Sequence, residues 1–386
     1  MIFLDAAATT PVRREAIEAM FPFLTNQFGN PSSHHELGEV AAAALAQARE
    51  QCAEILRCHA EELIFTSGGT EADNLALKGI ALARRAADPR RTRILVSAIE
   101  HPAVAESADF LHRVHGFAVD VVPVDADGRV ERDVFERLLQ DGRDVALASI
   151  MYANNEVGTV QDLAALARTA HACGVPFHSD AVQAGGWLDL ATDRLGVDAL
   201  SLSGHKFGAP KGVGLLYVKA SVPLEPLLHG GGQERGARSG TENVAFAVAL
   251  ATALRLTEAA RPAAVGHATH LRDAFINTVL ARIPAASLTG HRTQRLPSVA
   301  SFCFPGTSGE SVLLELERRS IICSSGSACA AGSDEPSVVL SALGIDREVA
   351  QTALRFSFGA DVTAAQLGAA ADELVAAVER VTRLGR

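Results

Sequence analysis

The chain has 386 residues, 48% of them hydrophobic and 21% charged, so it is long enough to bury a sizeable core in two or three domains. Its formal net charge of −10 argues against non-specific binding to nucleic acid or to an anionic membrane. No basic leader and no apolar run of membrane-spanning length is visible, and we expect a soluble cytoplasmic protein. Six cysteines without CxxC spacing predict neither a disulfide framework nor a resident metal site.

The first sixty residues predict a turn, a loop and a long helix. Residues 4–12 (LDAAATTPV) predict a short apolar segment followed by a turn, and the Gly/Asn/Pro/Ser-rich stretch over 28–38 predicts an irregular loop. Residues 37–57 are rich in strong helix formers, so we expect a helix there.

A glycine turn joins the next two predicted elements. A strand over 63–66 leads through Gly-Gly-Thr into a helix. Free backbone amides and the positive end of the helix dipole suit a phosphate at such a turn, which makes Gly69 and Thr70 candidate phosphate contacts. The following strand, over 93–97, precedes His101, and a histidine just beyond a strand end usually caps a helix or is paired.

Two further strands and a helix follow in the sequence. One strand is predicted over 119–125, and the apolar run within 145–161 delivers Asn155 at a strand end. The surrounding Asn-Asn-Glu-x-Gly is also a common turn composition. A helix over 162–173 is expected to end at Gly174, because glycine is frequent just beyond helix ends.

In the middle of the chain, two apolar runs end in an acid and an amine. VPFHS (175–179) is followed by Asp180, and VDALSLS (197–203) leads to Lys206; the strand over 212–219 completes this α/β core. Ligands of open α/β sheets bind outside the carboxyl ends of the strands, so we expect both side chains to face one crevice. A Schiff-base amine and a carboxylate for a pyridinium nitrogen are what pyridoxal 5'-phosphate (PLP) requires. The alternative is a surface lysine in a Gly/Pro-rich turn.

The last third of the chain has a different pattern of predicted strands and helices. Strands are predicted over 297–306 and 354–359, and an amphipathic helix over 309–319. Thr363 and Gln366 have the spacing of a capping box, which predicts where the last helix begins. These patterns predict a smaller α+β domain that covers the crevice.

Two residues of this part are candidates for chemistry. Cys329 lies in the Ser/Gly/Ala-rich stretch SSGSACAAGSDEPS, which has nothing to bury it, and an accessible thiolate is what a nucleophile requires. Arg355 interrupts the apolar strand LRFSFG. Such an arginine is most often neutralised by a structural partner, but it can also bind a carboxylate in bidentate fashion. The residues alone leave both alternatives open.

The motifs LDAAATTP, GNPSSHHELG, TSGGTEADN, EHPAV, HSDAVQ, SLSGHK, RSGT and SSGSAC follow one another from Leu4 to Cys329, and the similarity that they indicate extends to about Gly359. Together they resemble the cysteine desulfurases of the class V aminotransferase superfamily, and SSGSAC resembles the group with a long mobile catalytic loop. The resemblance implies the PLP-dependent transferase fold type I, an α/β fold. Its large domain, with a mainly parallel sheet between helices, is expected over residues 13–258. Residues 1–12 and 259–386 are expected to form the small α+β domain that carries the catalytic cysteine loop.

The resemblance also assigns roles to residues around PLP. The residues implied to bind the cofactor are Gly69, Thr70, His101, Asn155, Asp180, Gln183, Ser203, His205, Lys206 and Thr241. Asp180 is implied to keep the pyridine nitrogen protonated, Gln183 to bond the phenolic oxygen, and Lys206 to link covalently to the cofactor. His101 is implied to stack on the ring and to assist proton transfer, a task that suits a group titrating near pH 7. Thr241 is implied to reach the neighbouring subunit's phosphate, which makes a homodimer the expected assembly.

The implied reaction removes sulfur from L-cysteine and releases L-alanine. Lys206, His101 and Cys329 are the implied catalytic residues, and Arg355 with Asn155 is implied to bind the substrate. Sulfur is expected to leave as a Cys329 persulfide for an iron-sulfur scaffold, tRNA thiolation or another acceptor protein. Transient ligation of an iron-sulfur cluster by Cys329 is also implied. Neither direct nucleic-acid binding nor membrane binding is expected.

Two other interpretations are compatible with the motifs. A selenocysteine or cysteine-conjugate lyase, or a class V aminotransferase, would use Lys206 and Asp180 but would need no nucleophile at Cys329. A non-catalytic scaffold of iron-sulfur assembly would keep the fold only to bind partners and would function without Lys206.

Overall fold

The computed structural model describes residues 1–325 and 336–384. Numbered along the chain, the strands are β1 (Ile2–Phe3), β2 (Leu63–Thr66), β3 (Arg93–Ser97), β4 (Ala118–Val122), β5 (Val145–Ser149), β6 (Phe177–Asp180), β7 (Ala199–Ser203), β8 (Gly214–Val218), β9 (Ser287–Leu288), β10 (Val299–Cys303), β11 (Ile321–Ile322), β12 (Ser324–Ser325) and β13 (Leu354–Ser357). The α-helices are α1 (Arg14–Thr25), α2 (Glu36–Leu56), α3 (Gly69–Asn74), α4 (Ile80–Ala87), α5 (Pro102–His115), α6 (Arg132–Leu139), α7 (Leu163–Ala172), α8 (Thr192–Leu195), α9 (Val244–Arg282), α10 (Gly309–Arg318), α11 (Val338–Ala342), α12 (Arg347–Ala350) and α13 (Ala364–Leu384).

The large sheet of the described residues has seven strands in the order β2-β8-β7-β6-β5-β3-β4. Strand β8 runs antiparallel to β2 and β7, and the other neighbours pair in parallel. Parallel pairing brings the carboxyl ends of β5, β6 and β7 to one edge of the sheet. That edge is where an open α/β sheet binds its ligand.

Helices cover both faces of this sheet, which explains why its strands read as continuous apolar runs. Along β2, Ile64 and Phe65 enter different core clusters, and so do Leu216 and Leu215 of β8. One cluster includes residues of α1, α2, α7 and α9, and the other includes residues of α3, α4 and α5. Each large apolar side chain buried in this way contributes about 1.5–3 kcal/mol. The α/β architecture expected from the sequence is confirmed.

A second core forms around a smaller antiparallel sheet of order β12-β13-β10-β9, beside which β1 pairs in parallel with β11. Helices α10 and α13 and the second half of α9 pack in this core. Its centre contains Phe275, Phe302 and Phe356, whose rings meet edge to face. Both ends of the chain therefore contribute to the same small core.

Helix α9 passes through both cores. Residues from Val244 to Leu254 pack under the large sheet, and residues from Ala268 to Val279 pack in the small core. The domain boundary expected between residues 258 and 259 falls inside this continuous helix of 39 residues. The division of the chain at that point stays a prediction.

Local patterns set most element boundaries. Thr363 and Gln366 exchange the two hydrogen bonds of a capping box at the start of α13. The strand predicted over 119–125 ends earlier, at Val122, because the next residue is Pro123, which has no N–H to donate. In the two described ranges, no helix combines the length and the apolar character that crossing a membrane requires.

Candidate active site

Asp180 and Lys206 lie at the carboxyl edge of the large sheet. Asp180 is the last residue of β6, and Lys206 follows the end of β7 by three residues. Strands β6 and β7 are parallel neighbours, with Asp180 beside Ser201. Burial raises the pKa of the Asp180 carboxyl, whereas the nearby charges of His101 and Lys206 lower it. The structure therefore brings the acid and the amine together, as the strand ends predicted.

His101 lies at the same edge, at the start of α5. Its Nδ1 accepts a hydrogen bond from the backbone N–H of Ala103 at 3.1 Å, so the capping role considered for this residue is real. Burial lowers the pKa of the imidazole, Asp180 raises it and Lys206 lowers it. The ring is thus both a helix cap and a neighbour of the Asp180 and Lys206 charges.

The glycine turn after β2 meets the end of β7. A Cβ atom on Gly69 would lie 2.7 Å from Cγ2 of Val182 and 3.2 Å from Cβ of Ser203, which is too close for either neighbour to stay in place. Only glycine lets the start of α3 approach this strand end. Ser203 is buried and Thr70 is exposed. The start of α3 at Gly69 and the end of β7 at Ser203, which are distant in sequence, therefore meet at this point.

His205 is held by the N-terminal part of the chain. Its Nδ1 lies 3.1 Å from Oγ1 of Thr9, and its backbone carbonyl accepts hydrogen bonds from the backbone and the hydroxyl of Thr10. Burial, together with the charges of Lys206 and Lys211, lowers the pKa of this histidine to about 4. The imidazole is therefore neutral at neutral pH.

Residues 5–10, the N-terminal segment, contact more of the candidate site than the sequence indicated. The Lys206 ammonium donates to the backbone carbonyls of Ala7 (2.6 Å) and Ala8 (3.0 Å). The Gln183 side-chain amide donates to the same Ala7 carbonyl at 3.1 Å. The run of small residues in DAAATT is the feature that could have identified this segment, because small side chains allow the backbone to approach the site closely.

Arg355 projects from the middle of β13 and its side chain is only 2% exposed. Its Nη1 donates to the backbone carbonyl of Asn155 at 3.0 Å, and its Nη2 donates to the Asp5 carboxylate at 2.6 Å. The structural partner that the sequence left open is therefore Asp5. The sequence placed Asp5 within an apolar segment but gave it no role.

A buried polar network lies behind Asp180. The imidazole of His178 lies 2.8 Å from the Ser149 hydroxyl and 3.0 Å from the Ser201 hydroxyl, and 3.8 Å from the carboxylate of Asp73. Burial raises the pKa of the Asp73 carboxyl, and the nearby Asp180 raises it further. The sequence interpretation assigned none of these residues a role. The available signal was alternation, because His178 and Asp180 occupy every second position and share one face of the sheet.

Glu100, beside His101, is another buried acid that the sequence interpretation missed. Its Oε1 accepts hydrogen bonds from the Ser97 hydroxyl at 2.5 Å and from the Met151 backbone N–H at 2.7 Å. Burial is the main cause that raises the pKa of this carboxyl to about 8, and the charge of Asp180 adds to it. A neutral carboxylic acid therefore lies close to the site at neutral pH.

Most cysteines of the described residues are poor nucleophiles. Burial raises the pKa of Cys52, Cys58 and Cys323 to about 12 and that of Cys303 to about 11. Cys58 and Cys173 are half-buried and lie at the ends of α2 and α7. Cys329 lies outside the described residues. Within the described ranges, no group of three or more His, Cys, Asp and Glu side chains could hold a metal ion.

The glycine-rich stretch over 230–244 is held against the rest of the chain by side-chain ion pairs, unlike a fully solvated loop. Glu234 is buried and forms a two-bonded ion pair with Arg49 at 2.7 and 2.8 Å. Arg238 donates to the carboxylate of Glu71, the residue after Thr70, at 2.8 Å. Thr241 is exposed. The stretch therefore reaches the glycine turn of its own chain through Arg238.

The chain is similar to known proteins over almost its whole length. Residues 2–369 match the family model described as Aminotransferase class-V. An IscS-like cysteine desulfurase from Mycobacterium tuberculosis is 44% identical over 384 residues, which cover 99% of this chain and 98% of that protein. A solved NifS-like protein superposes with a TM-score of 0.90 at 34% identity and covers 98% of this chain and 99% of that one. The structure titled SspA in complex with cysteine gives a TM-score of 0.80 at 33% identity, with 93% of this chain and 99% of that one covered.

These similarities include both cores and the N-terminal segment, so they are not limited to one shared domain. The aligned regions also include the strand ends that carry Asp180 and Lys206 and the strand that carries Arg355. The chain belongs to the class V aminotransferase family, a family of PLP-dependent enzymes, and within it to the cysteine desulfurases.

Proposed function

We propose that this protein binds PLP, takes the sulfur atom from L-cysteine as a persulfide of Cys329 and releases L-alanine. The observation that carries the proposal is the convergence of Lys206, Asp180 and His101 at the carboxyl edge of one sheet, where their charges interact. The similar structure titled as a complex with cysteine supports the choice of substrate.

The residues at this edge fit PLP. Asp180 supplies a buried carboxylate whose charge calls for a cationic partner, such as a protonated pyridine nitrogen. A Cβ on Gly69 would lie 3.7 Å from the Ser203 hydroxyl oxygen, so the first turn of α3 approaches that hydroxyl closely. The first backbone amides of a helix have no partner within the helix, and together with a hydroxyl they suit an anion. We assign the phosphate to Gly69, Thr70, Ser203 and His205.

The remaining cofactor contacts follow from the resemblance. Gln183 would bond the phenolic oxygen, while His101 and Asn155 would contact the ring. The Gln183 amide and the Lys206 ammonium share the Ala7 carbonyl as acceptor, which supports their closeness to each other. Lys206 supplies the amine for the covalent link.

Arg355 would bind the carboxylate of L-cysteine. When bound, PLP supplies an electron sink for the electron pair of the substrate's Cα–H bond. Lys206 takes the α-proton. The thiolate of Cys329 then attacks the substrate sulfur, so that an S–S bond forms and the C–S bond breaks. Return of protons to the carbon skeleton gives L-alanine, and the persulfide stays on Cys329.

A second copy of the chain is the proposed assembly partner. Helix α1 exposes Ile17, Phe21 and Leu24, and Phe28 follows just beyond its end. This helical spacing produces one apolar stripe, which supports burial against another subunit. Thr241, which the family resemblance assigns to the neighbouring phosphate, is exposed as such a role requires.

The persulfide is proposed to pass to an acceptor protein. The name IscS-like, carried by the Mycobacterium tuberculosis relative, supports an iron-sulfur scaffold as acceptor, and tRNA thiolation uses the same chemistry. Transient ligation of an iron-sulfur cluster by Cys329 belongs to the same proposal. We further propose a cytoplasmic location.

The experiment supplies L-cysteine and a thiol reductant to the PLP-loaded protein and measures L-alanine and sulfide. We expect equal yields from wild type, and loss of both products in Cys329→Ala with the cofactor still bound. Cys173→Ala, which removes a half-buried cysteine on another element, is the matched control and should retain both products.

Other products would favour the alternatives. Sulfide and alanine that persist in Cys329→Ala would support a lyase, because a lyase needs no persulfide. Transfer of the amino group to a keto acid would support an aminotransferase. Function that survives Lys206→Ala would support a non-catalytic scaffold.

A further inference from the structure

Arg355 is already engaged by a carboxylate. Its Nη2 donates to Oδ1 of Asp5 at 2.6 Å and its Nη1 donates to the Asn155 carbonyl at 3.0 Å. The arginine side chain is 2% exposed, whereas that of Asp5 is 21% exposed. Asp5 is therefore the partner on the open side of the pair.

The main chain around Asp5 is fixed while its side chain is not enclosed. The N–H of Ala6 donates to the Ser357 carbonyl at 2.9 Å, and the N–H of Ser357 donates to the Leu4 carbonyl at 2.8 Å. The N–H of Ala7 donates to the Ser357 hydroxyl at 2.9 Å. These bonds tie the segment to β13 on both sides of Asp5. Any release of Arg355 by Asp5 therefore falls to the side chain, because the backbone is held on both sides.

Asp5 has the same binding chemistry as an amino-acid substrate. A carboxylate forms short charge-assisted bonds with guanidinium, whether it belongs to Asp5 or to the α-carboxylate of a ligand. Two carboxylates on one guanidinium repel each other. Glu156 adds a third acid near the arginine: burial raises its pKa to about 7, and the charge of Arg355 lowers it. The surroundings thus disfavour simultaneous binding of Asp5 and a substrate carboxylate.

We propose that Asp5 is a resident competitor for the substrate carboxylate. It holds Arg355 between turnovers, yields it to L-cysteine, and takes it back as L-alanine leaves. The inference rests on the proposed role of Arg355 and deepens it by naming what the substrate must displace. A buried arginine left without a partner is costly, so the exchange keeps its charge neutralised at every stage.

The exchange has a benefit for product release. L-cysteine and L-alanine carry the same α-carboxylate, so an Arg355 without a competitor would hold the product as tightly as the substrate. Asp5 weakens both interactions. Binding that is equally strong in the substrate and the transition state does not raise kcat, so weaker binding of the α-carboxylate does not slow the chemistry. Faster release of L-alanine then favours turnover.

The experiment measures binding of L-alanine to PLP-loaded protein by isothermal titration calorimetry, since L-alanine has no sulfur to transfer. Asp5→Asn keeps the size and an acceptor oxygen but removes the charge. We expect its Kd for L-alanine to fall by about 10-fold, which corresponds to roughly 1.4 kcal/mol. KM for L-cysteine should fall as well, kcat should not rise, and L-alanine should inhibit at lower concentration. Thermal stabilisation by L-alanine should exceed that of wild type.

Three further variants make the result specific. Asp120→Asn removes the charge of another carboxylate that pairs with a buried arginine, Arg93, at 2.5 Å, and should leave the Kd unchanged. Asp5→Glu restores the charge and should return the Kd toward that of wild type. Asp5→Ser should change the Kd in the same direction as Asp5→Asn, and it stands in if Asp5→Asn does not fold.

A Kd that is unchanged or higher in the neutral Asp5 variants would overturn the competitor role. The Arg355→Ala variant separates this result from a failure of the proposed function. If Arg355→Ala abolishes L-alanine binding while the neutral Asp5 variants leave it unchanged, only the competitor is wrong. If Arg355→Ala binds L-alanine as wild type does, the role of Arg355 itself is wrong.

Discussion

Asp180 and Arg355 are both charged, both buried and both placed at the candidate site, yet the protein holds them in different ways. Asp180 ends a strand of the large sheet, with the His178 network behind it on the same sheet. Arg355 lies in the small sheet and depends on Asp5, a partner on its open side. The Asp180 carboxylate accepts from the backbone N–H of Val182, two residues further along the chain, whereas Arg355 relies on a side chain that is partly exposed.

The difference matches how long each proposed ligand stays. A cofactor that remains bound over many turnovers gains from side chains locked in place before it arrives. A substrate that enters and leaves at every turnover gains from a binding group whose charge is neutralised in its absence. The three predictions below test this contrast between the large-sheet side and the small-sheet side.

The largest effect is expected for Asp180→Asn. The amide cannot form an ion pair with a protonated pyridine nitrogen, so kcat should fall by about 10²–10³-fold, as for the loss of a preorganised charge contact. Steady-state kinetics and the absorbance spectrum of the bound cofactor would measure this. L-alanine binding at Arg355 should change much less, because the two regions are held separately.

Asp198→Asn is the matched control for this variant. Asp198 is buried at the opposite end of the same strands, where it lies 2.6 Å from His171 and accepts from the N–H of Phe177. The Asp198→Asn substitution should lower the free energy of unfolding without changing the absorbance spectrum of the bound cofactor. Equal kcat in Asp180→Asn and wild type would show that Asp180 does not serve the cofactor.

A smaller effect is expected for Glu100→Gln, and it depends on pH. The folded protein raises the pKa of this carboxyl from an ordinary 4.5 to about 8. The folded state therefore keeps a proton that the unfolded chain releases, so wild-type stability should fall as pH rises from about 4.5 to about 8. The slope from this group is at most about 1.4 kcal/mol per pH unit. Glu100→Gln should remove it.

Denaturant unfolding at several pH values between 5 and 8.5 measures that slope. Glu15→Gln, at an exposed position of α1, is the control and should follow the wild-type profile. If Glu100→Gln and wild type lose stability in parallel as pH rises, the buried carboxylic acid is not a neutral group in the folded protein.

The smallest effect is expected for Thr363→Ala. The side chain of Thr363 accepts from the N–H of Gln366 at 3.2 Å, and Gln366 accepts from the N–H of Thr363 at 2.9 Å. Loss of this cap should cost about 1 kcal/mol of unfolding free energy, measured in urea, and Thr363→Ser should retain most of it. L-alanine affinity should stay as in wild type. A change in affinity would mean that stability of the small core, as well as Asp5, sets carboxylate binding.

Features encoded within a few residues were predictable from the sequence. The strand ends at Asp180 and Lys206, the glycine turn at Gly69 and the capping box at Thr363 each follow from local pattern and backbone chemistry. Gly69 shows the limit, because the sequence predicted a turn there but could not show that a Cβ would collide with the Val182 side chain.

Features made by distant residues were not predictable. The contact of Asp73 with His178 joins a helix to a strand more than a hundred positions away, and the sequence of either one describes only its own element. The contacts of Ala7 and Ala8 with Lys206 are made by backbone carbonyls, which every residue has. No residue type therefore marks them.

Asp5 and Arg355 are separated by 350 positions, and β1 pairs with β11 across a similar interval. During synthesis, all seven strands of the large sheet have left the ribosome once Val218 has emerged. The large sheet can therefore begin to form before the small one. The Asp5–Arg355 contact must wait for almost the entire polypeptide. A growing chain can thus present Lys206 and Asp180 long before it completes the Asp5–Arg355 pair.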